Sequence, residues 1–470
     1  MRDLCGHAVD AAIAAGATYA DARAVFRRSQ SIATKNGNVE AVSDVESEGI
    51  GVRVLVGGSW GFAGDRRLTE EGAREAALRA CTFARAAGGG NRTLEPLEPQ
   101  RGSFTTRVEI DPFSISLGEK IDFCLEAEGL LARPEVKVAE AFARAQVERK
   151  VLVSSEGTDV TQELVECGAG IDATAVGDGI TQIRSYPSAH GGISAQAGWE
   201  YVLGLGLAAE APRVAEQAAA LLRAPECPAG VIDVVIDAEQ VALQLHESVG
   251  HPTELDRVLG FEAAYAGTSF LKQSDLGSLR YGSKHMNVTA DPTTPGGLGA
   301  AGFDDEGVPA EPRPIVRDGV LVGWIGSREV GFPGSMRADG WSRMPLVRMT
   351  NLHLEPGEGS LEELLAGVDD GLYLETNKSW SIDDKRINFQ FGTQVAWEIA
   401  GGKLGRMFRD PTYTGITPQF WGSMDAVGGR EEWRLHGLTN CGKGQPGQTA
   451  HVSHGTAPAR FRGVQVGVRA

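Results

Sequence analysis

The stretch ALQLHESVGHPTELD, residues 242–256, contains two histidines and a glutamate close together: His246, Glu247 and His251. Imidazole and carboxylate groups are the usual protein ligands and bases of zinc hydrolases. The common helical zinc motif separates its two histidines by four positions, which places both on one face of the helix. Here the separation is five positions. A shared metal therefore requires an irregular helix at this point.

The geometry of the helix shows what irregularity is needed. On a straight α-helix, five residues turn about 500°, so the two imidazoles would point about 140° apart. Gly250 can leave the helical conformation, and Pro252 disfavours the α conformation at His251. A single π-helical turn would serve the same purpose. We expect His251 to lie at or just beyond the helix end, turned back towards His246.

Glu247 directly follows the first candidate ligand and lies about 100° further around the helix. It would flank a metal without having to ligate it. A carboxylate in that place can take a proton from metal-bound water and deliver it to a leaving amine. These residues are compatible with metal-assisted hydrolysis of an amide bond, with Glu247 as the general base. The alternative is a chance HExxxH spacing, which is not rare in a chain with nine histidines.

A catalytic zinc ion needs a third protein ligand besides water, and the residues leave its identity open. Nearby candidates are Glu254 and Asp256, which could instead support the histidines from outside or contact substrate. Distant candidates are Cys441, in the glycine-rich TNCGKGQPGQ segment, His451 and His454. Each also has an explanation without a metal: a surface carboxylate, a small buried thiol or a polar loop histidine.

Composition places the chain among globular proteins of two or three domains. It has 470 residues, of which 42% are hydrophobic and 23% charged, and 62 glycines that favour many turns. A net charge of −17 without a lysine or arginine cluster argues against nucleic-acid binding. Neither a membrane span nor an export signal is expected. With six scattered cysteines and no CxxC pair, we expect a cytoplasmic protein with reduced thiols.

Hydrophobic periodicity and turn signals predict an α+β fold in three parts. Residues 1–100 indicate an N-terminal α/β domain with antiparallel strands and helices. Residues 101–226 indicate a central α/β region, in which FARAQ loosely repeats the FRRSQ of the first part. Residues 227–470 indicate a β-rich, barrel-like catalytic domain. It carries the HESVGH helix, which should begin after Asp237 as the capping residue.

The HESVGHPTELD segment resembles the HExxxH segment of TldD-type metalloproteases, in the TldD/PmbA family. Pro252 and Leu255 stand where the family pattern has glycines. The resemblance covers most of the chain, because further blocks similar to those of the family occur in order: AGATYADAR (15–23), DDEGVPAEPRPIVRDGVLVGWIGSRE (304–329), MPLVRMTNLHLEPG (344–357) and TNCGKGQPGQ (439–448).

The resemblance implies a zinc peptidase that hydrolyses flexible or unfolded peptides by Glu-assisted attack of zinc-bound water. It implies His246, His251 and Cys441 as zinc ligands and Glu247 as the general base. It also implies a homodimer, or a heterodimer with a PmbA-type partner that lacks HExxxH. Two alternatives stay open: a non-catalytic peptide-binding or regulatory subunit, and a zinc amidohydrolase acting on a small molecule.

Overall fold

Long β-strands form most of the N-terminal half of the protein. The structure is a computed structural model that describes residues 1–467. They form one eight-stranded sheet of order β3-β2-β1-β5-β6-β4, in which β7 and β8 also pair with β6. The helices of this half are α1 (Arg2–Ala14), α2 (Glu70–Ala86), α3 (Leu117–Gly129), α4 (Trp199–Gly204) and α5 (Leu207–Leu221). Its strands are β1 (Tyr19–Lys35), β2 (Asn38–Val56), β3 (Ser59–Asp65), β4 (Arg101–Thr105), β5 (Val136–Ser154), β6 (Asp159–Gly177), β7 (Ile180–Tyr186) and β8 (Ile193–Ala195).

This sheet consists of two similar α/β units placed side by side. Helices α1 and α2 pack against β1–β3, and helices α3 and α5 pack against β5–β7. The central strands β1 and β5 are antiparallel, with Ser29 opposite Gln146 and Gln30 opposite Ala145. The FRRSQ and FARAQ segments are therefore neighbours at the centre of the sheet. Many residues facing the helices are alanines, whose small side chains let the helices approach the strands closely.

A closed barrel of five strands forms the centre of the C-terminal half, where β16, β9, β23, β19 and β17 pair in a ring. The α+β fold and the β-rich, barrel-like character of the C-terminal part, both predicted from the sequence, are thus confirmed. The helices here are α6 (Ala238–Leu245), α7 (Leu255–Val258), α8 (Leu361–Ala366) and α9 (Thr417–Gly422). The strands are β9 (Gly230–Ile236), β10 (Val288–Ala290), β11 (Arg313–Arg317), β12 (Val320–Leu321), β13 (Met336–Arg337), β14 (Leu346–Val347), β15 (Leu352–Leu354), β16 (Asp370–Ile382), β17 (Asn388–Ala400), β18 (Lys403–Phe408), β19 (Thr412–Ile416), β20 (Met424–Val427), β21 (Arg434–Lys443), β22 (Gln448–Thr456) and β23 (Ala459–Val466).

Buried ion pairs join the N-terminal sheet to the C-terminal half. Asp305 lies 3.3 Å from Arg23 and 2.6 Å from Lys150, and Glu306 lies 3.1 Å from Arg53. Burial of such charges is tolerated because each has a partner. The DDEG segment therefore fixes the sheet against the half that carries the HESVGH helix. No helix within residues 1–467 is long and apolar enough to cross a membrane.

The Asp305 contacts predict a large effect on stability. The Asp305→Ala variant leaves Arg23 and Lys150 without their shared carboxylate, and we expect the free energy of unfolding to fall by about 3–5 kcal/mol. Urea unfolding followed by tryptophan fluorescence measures the change. Asp369→Ala, at an exposed position, serves as the control, with an expected change below about 0.5 kcal/mol. Equal unfolding midpoints for the two variants would contradict this role of Asp305.

Candidate metal centre

Helix α6 begins as predicted but changes its hydrogen-bond register at the histidines. The Asp237 carboxylate accepts a hydrogen bond of 3.0 Å from the Gln240 amide and caps the helix. Residues His246–Gly250 then form a π-helical turn, in which the amide of His251 donates to the carbonyl of His246. The widened turn brings the two imidazole centroids to 4.7 Å. The π-turn alternative considered from the sequence is therefore the one the structure adopts.

The expected roles of Gly250 and Pro252 are wrong. Gly250 keeps helical dihedral angles, φ −59° and ψ −63°, and so does His251, φ −60° and ψ −43°, although a proline follows it. Gly250 is favoured by packing instead, because a Cβ there would lie 2.0 Å from Sδ of the buried Met349, whose side chain would have to move. Pro252 is tolerated because it stands in the first turn of the 3₁₀ helix that follows, where a missing amide hydrogen does little harm.

Side-chain hydroxyls bond to backbone carbonyls in and around the widened turn. The Tyr281 hydroxyl donates to the Ser248 carbonyl at 2.6 Å. The Ser248 hydroxyl donates to the Gln244 carbonyl at 2.6 Å, and the Thr253 hydroxyl donates to the Val249 carbonyl at 2.8 Å. A buried carbonyl without a partner would cost about 1–3 kcal/mol. These hydroxyls therefore stabilise the π turn.

The structure brings His246, His251 and Cys441 together in a buried cluster, with ligand atoms within 4.8 Å of one another. Sγ of Cys441, on β21, lies 3.8 Å from Nε2 of His251. Tetrahedral zinc with bonds of about 2.3 Å to sulfur and 2.0 Å to nitrogen places these atoms about 3.5 Å apart. Burial raises the pKa of the thiol, but His251 and other charges lower it below its ordinary value. The three residues therefore fit a zinc ion.

Glu254 orients the candidate ligand His251, which is one of the two roles considered for it from the sequence. Its Oε2 accepts a hydrogen bond of 3.0 Å from Nδ1 of His251, which leaves Nε2 facing the cluster. Lys443 lies 3.3 Å from Glu254, 2.9 Å from Asp256 and 3.4 Å from Glu262. Burial raises the pKa of Glu254. The charge of Lys443 and the interaction with His251 lower it by more, so that the pKa lies below its ordinary value. Asp256 contacts neither candidate ligand histidine among the described residues; its carboxylate accepts a hydrogen bond from Lys443.

His454 orients the other histidine, a role that the sequence did not suggest. Its Nε2 lies 2.7 Å from Nδ1 of His246, and its Nδ1 lies 3.1 Å from the carbonyl of Leu352. Because a carbonyl can only accept, Nδ1 of His454 carries the proton and Nε2 accepts from Nδ1 of His246. Nε2 of His246 is then free to bind a metal. His451, three residues earlier, pairs with Glu166 at 2.5 Å instead.

Glu247 faces the same cavity and is paired with Arg386. The cavity, of ≈ 230 Å³, is lined by the three cluster residues and by Glu247, Arg386, Trp380 and His190 among others. Nη1 of Arg386 donates to Oε2 of Glu247. Burial raises the pKa of Glu247, but the nearby histidines and Arg386 lower it below its ordinary value. Nε of Arg386 is buried and has no hydrogen-bond partner among the described residues, so it keeps a donor to spare.

These groups have the composition of a metal-dependent hydrolase centre: two imidazoles, a thiol and an ionised carboxylate in one buried cavity. Family models lead to the same class. Those described as PmbA/TldA metallopeptidase C-terminal domain, domain 1 and central domain match residues 229–468, 20–84 and 110–224. The chain therefore belongs to the PmbA/TldD metallopeptidase family, and the family predicted from its motifs is confirmed.

Three known proteins illustrate the similarity. Metalloprotease MJ0996 of Methanocaldococcus jannaschii is 27% identical over 446 residues, which cover 93% of this chain and 94% of the relative. A zinc metalloprotease TldD homolog of Saccharolobus solfataricus is 25% identical over 250 residues, 51% and 52% of the two chains. The crystal structure of a candidate modulator of a DNA gyrase from Thermotoga maritima has a TM-score of 0.78 at 20% identity and covers 99% of both chains. At that identity the structural likeness supports the fold alone.

The two histidines of β22 provide a matched pair of variants. We expect His454→Leu to weaken zinc binding about 10- to 100-fold, because His246 loses the acceptor that fixes its tautomer. His451→Leu, which removes only the contact with Glu166, should bind zinc as the unaltered chain does. Competition with a chromophoric chelator measures both affinities. Equal zinc affinity of the two variants would contradict the role of His454.

Proposed function

We propose that this chain is a zinc-dependent peptidase that hydrolyses flexible or unfolded peptides. The supporting observation is that Glu247, held ionised, lines the same cavity as the candidate ligands His246, His251 and Cys441. Membership of a metallopeptidase family supports the reaction class, and the name of the Saccharolobus relative supports zinc. An intact set of ligands and base argues against a subunit that only binds peptides.

In this mechanism the three candidate ligands, Glu247 and Arg386 have different roles. Nε2 of His246, Nε2 of His251 and Sγ of Cys441 would hold the ion. A bound zinc ion supplies Lewis-acid polarisation of the scissile carbonyl and makes a water molecule more acidic. Glu247 accepts the proton of the attacking water on a carboxylate oxygen and passes it to the leaving amine nitrogen. Arg386 keeps that carboxylate ionised through its ion pair with Glu247.

The depth of the site favours an unfolded substrate. His246 is 4% exposed, and His251 and Cys441 are each 5% exposed. The cavity lies between the loop around His190 in the N-terminal half and strand β21. A folded protein cannot bring its backbone into such a space, whereas an extended segment can. We propose in addition a dimer, either of two such chains or with a PmbA-type partner, which would enclose the cavity further.

Replacement of the general base separates metal binding from catalysis. We expect Glu247→Gln to keep its zinc, because Glu247 is not a ligand, and to cleave casein at least about 100-fold more slowly, because an amide cannot accept the proton. Elemental analysis and a casein assay with and without chelator measure the two properties. Glu358→Gln, at an exposed position, is the control and should match the unaltered chain. Full activity of Glu247→Gln would rule out its role as base.

A further inference from the structure

Arg144 is a cation without an ionic partner beside the metal cavity. It belongs to β5 and reaches across to the C-terminal half, where its Nη1 donates to the hydroxyl of Thr439. Its Nη2 donates to the carbonyl of Gly191 at 3.0 Å. Both acceptors are neutral. In the part of the chain that the structure describes, no carboxylate lies within ion-pair distance of this guanidinium.

Other buried or half-buried arginines of the same sheet do have carboxylate partners, which sets Arg144 apart. The pairs are Arg23 with Asp305, Arg27 with Glu148, Arg53 with Asp21 and Arg184 with Glu375. The acid that influences Arg144 is Glu166, and it is already bound to His451 at 2.5 Å. A guanidinium that is partly withdrawn from water and lacks a counter-charge is unfavourable. A carboxylate of a bound ligand would supply the missing negative charge.

The position of Arg144 links two cavities. It lines a groove along β1 and β5, next to Ser31 and Phe142. Its partner Thr439 lines the metal cavity, and Ser194 lines both spaces. Thr439 stands two residues before Cys441, at most about 7 Å along the chain. A peptide that runs from the metal cavity into the groove therefore passes Arg144 within about three residues of the bond held at the metal.

The guanidinium is also fixed in place by its surroundings. Gly191 has a φ of +90°, and a Cβ there would lie 2.8 Å from Nη2 of Arg144. A side chain at this position would therefore push the loop away from Arg144. Glycine lets the backbone close on the guanidinium, so that Arg144 offers its remaining donors to the groove in a defined orientation.

We propose that Arg144 binds a carboxylate of the peptide substrate within about three residues of the scissile bond. The carboxylate is either the C-terminus of the peptide or the side chain of an aspartate or glutamate. The planar fork of arginine suits both, because it can donate two parallel hydrogen bonds to the two oxygens. The proposal rests on the proposed function for the peptide nature of the ligand. Arg144 would determine specificity and take no part in the proton transfers.

A binding assay tests this independently of turnover. The full-length, zinc-loaded Glu247→Gln chain is titrated with one fluorescein-labelled, unstructured peptide in three forms: a C-terminal acid, a C-terminal amide, and an amide with one glutamate near its end. We expect at least one acidic form to bind about tenfold or more tightly than the neutral amide. Adding Arg144→Gln should abolish that preference, and Arg144→Lys should retain part of it. Arg149→Gln, exposed on the same strand, should leave it unchanged.

The outcomes distinguish the two possible sources of the carboxylate. They also distinguish both from the alternative that Arg144 only ties the loop to β21. Preference for the C-terminal acid identifies the main-chain carboxylate, and preference for the glutamate form identifies the side chain. Equal binding of all three forms, or a preference that survives Arg144→Gln, would overturn the proposal. An equal loss of affinity for acid and amide in Arg144→Gln would also overturn it, because Arg144 would then only tie the loop to β21. Failure of the unaltered chain to cleave casein would count against the peptidase function alone.

Discussion

One widened helical turn, from His246 to Gly250, determines where the rest of the site can lie. In an α-helical register the two histidines would point about 140° apart and could not share an ion. The π register places their rings 4.7 Å apart and aims both at Cys441. The surrounding core accommodates this register, since Tyr281 bonds to a carbonyl of the turn and Met349 packs against Gly250.

Outside the turn, the site depends on a single hairpin of β21 and β22. This hairpin supplies Cys441, Lys443, which compensates the charge of Glu254, and His454, which orients His246. Each candidate ligand histidine is thus held by a polar partner that defines its tautomer. Because the hairpin is about 190 residues from the helix, the cluster exists only when the C-terminal half is folded. Metal binding and folding of this half should therefore be coupled.

The sequence predicted what depends on local spacing and missed what depends on distant contacts. The start of α6 at Asp237 follows from a short capping pattern, and two of the candidate ligands and the candidate base lie in one segment. Gly250 was misinterpreted because its packing partner, Met349, is about 100 residues away. Arg386 and His454 carry no motif, and their roles arise from tertiary contacts alone. The division of the chain at residues 100 and 226 stays a prediction.

X-ray absorption at the zinc edge tests most directly whether the π turn and β21 form one metal centre. The full-length chain, reconstituted with zinc and freed of excess metal, is expected to bind one ion. Its spectrum should contain one sulfur scatterer at about 2.3 Å and nitrogen or oxygen scatterers at about 2.0 Å. The sulfur would come from Cys441. A spectrum with nitrogen and oxygen scatterers only, or a chain that binds no zinc, would contradict this arrangement.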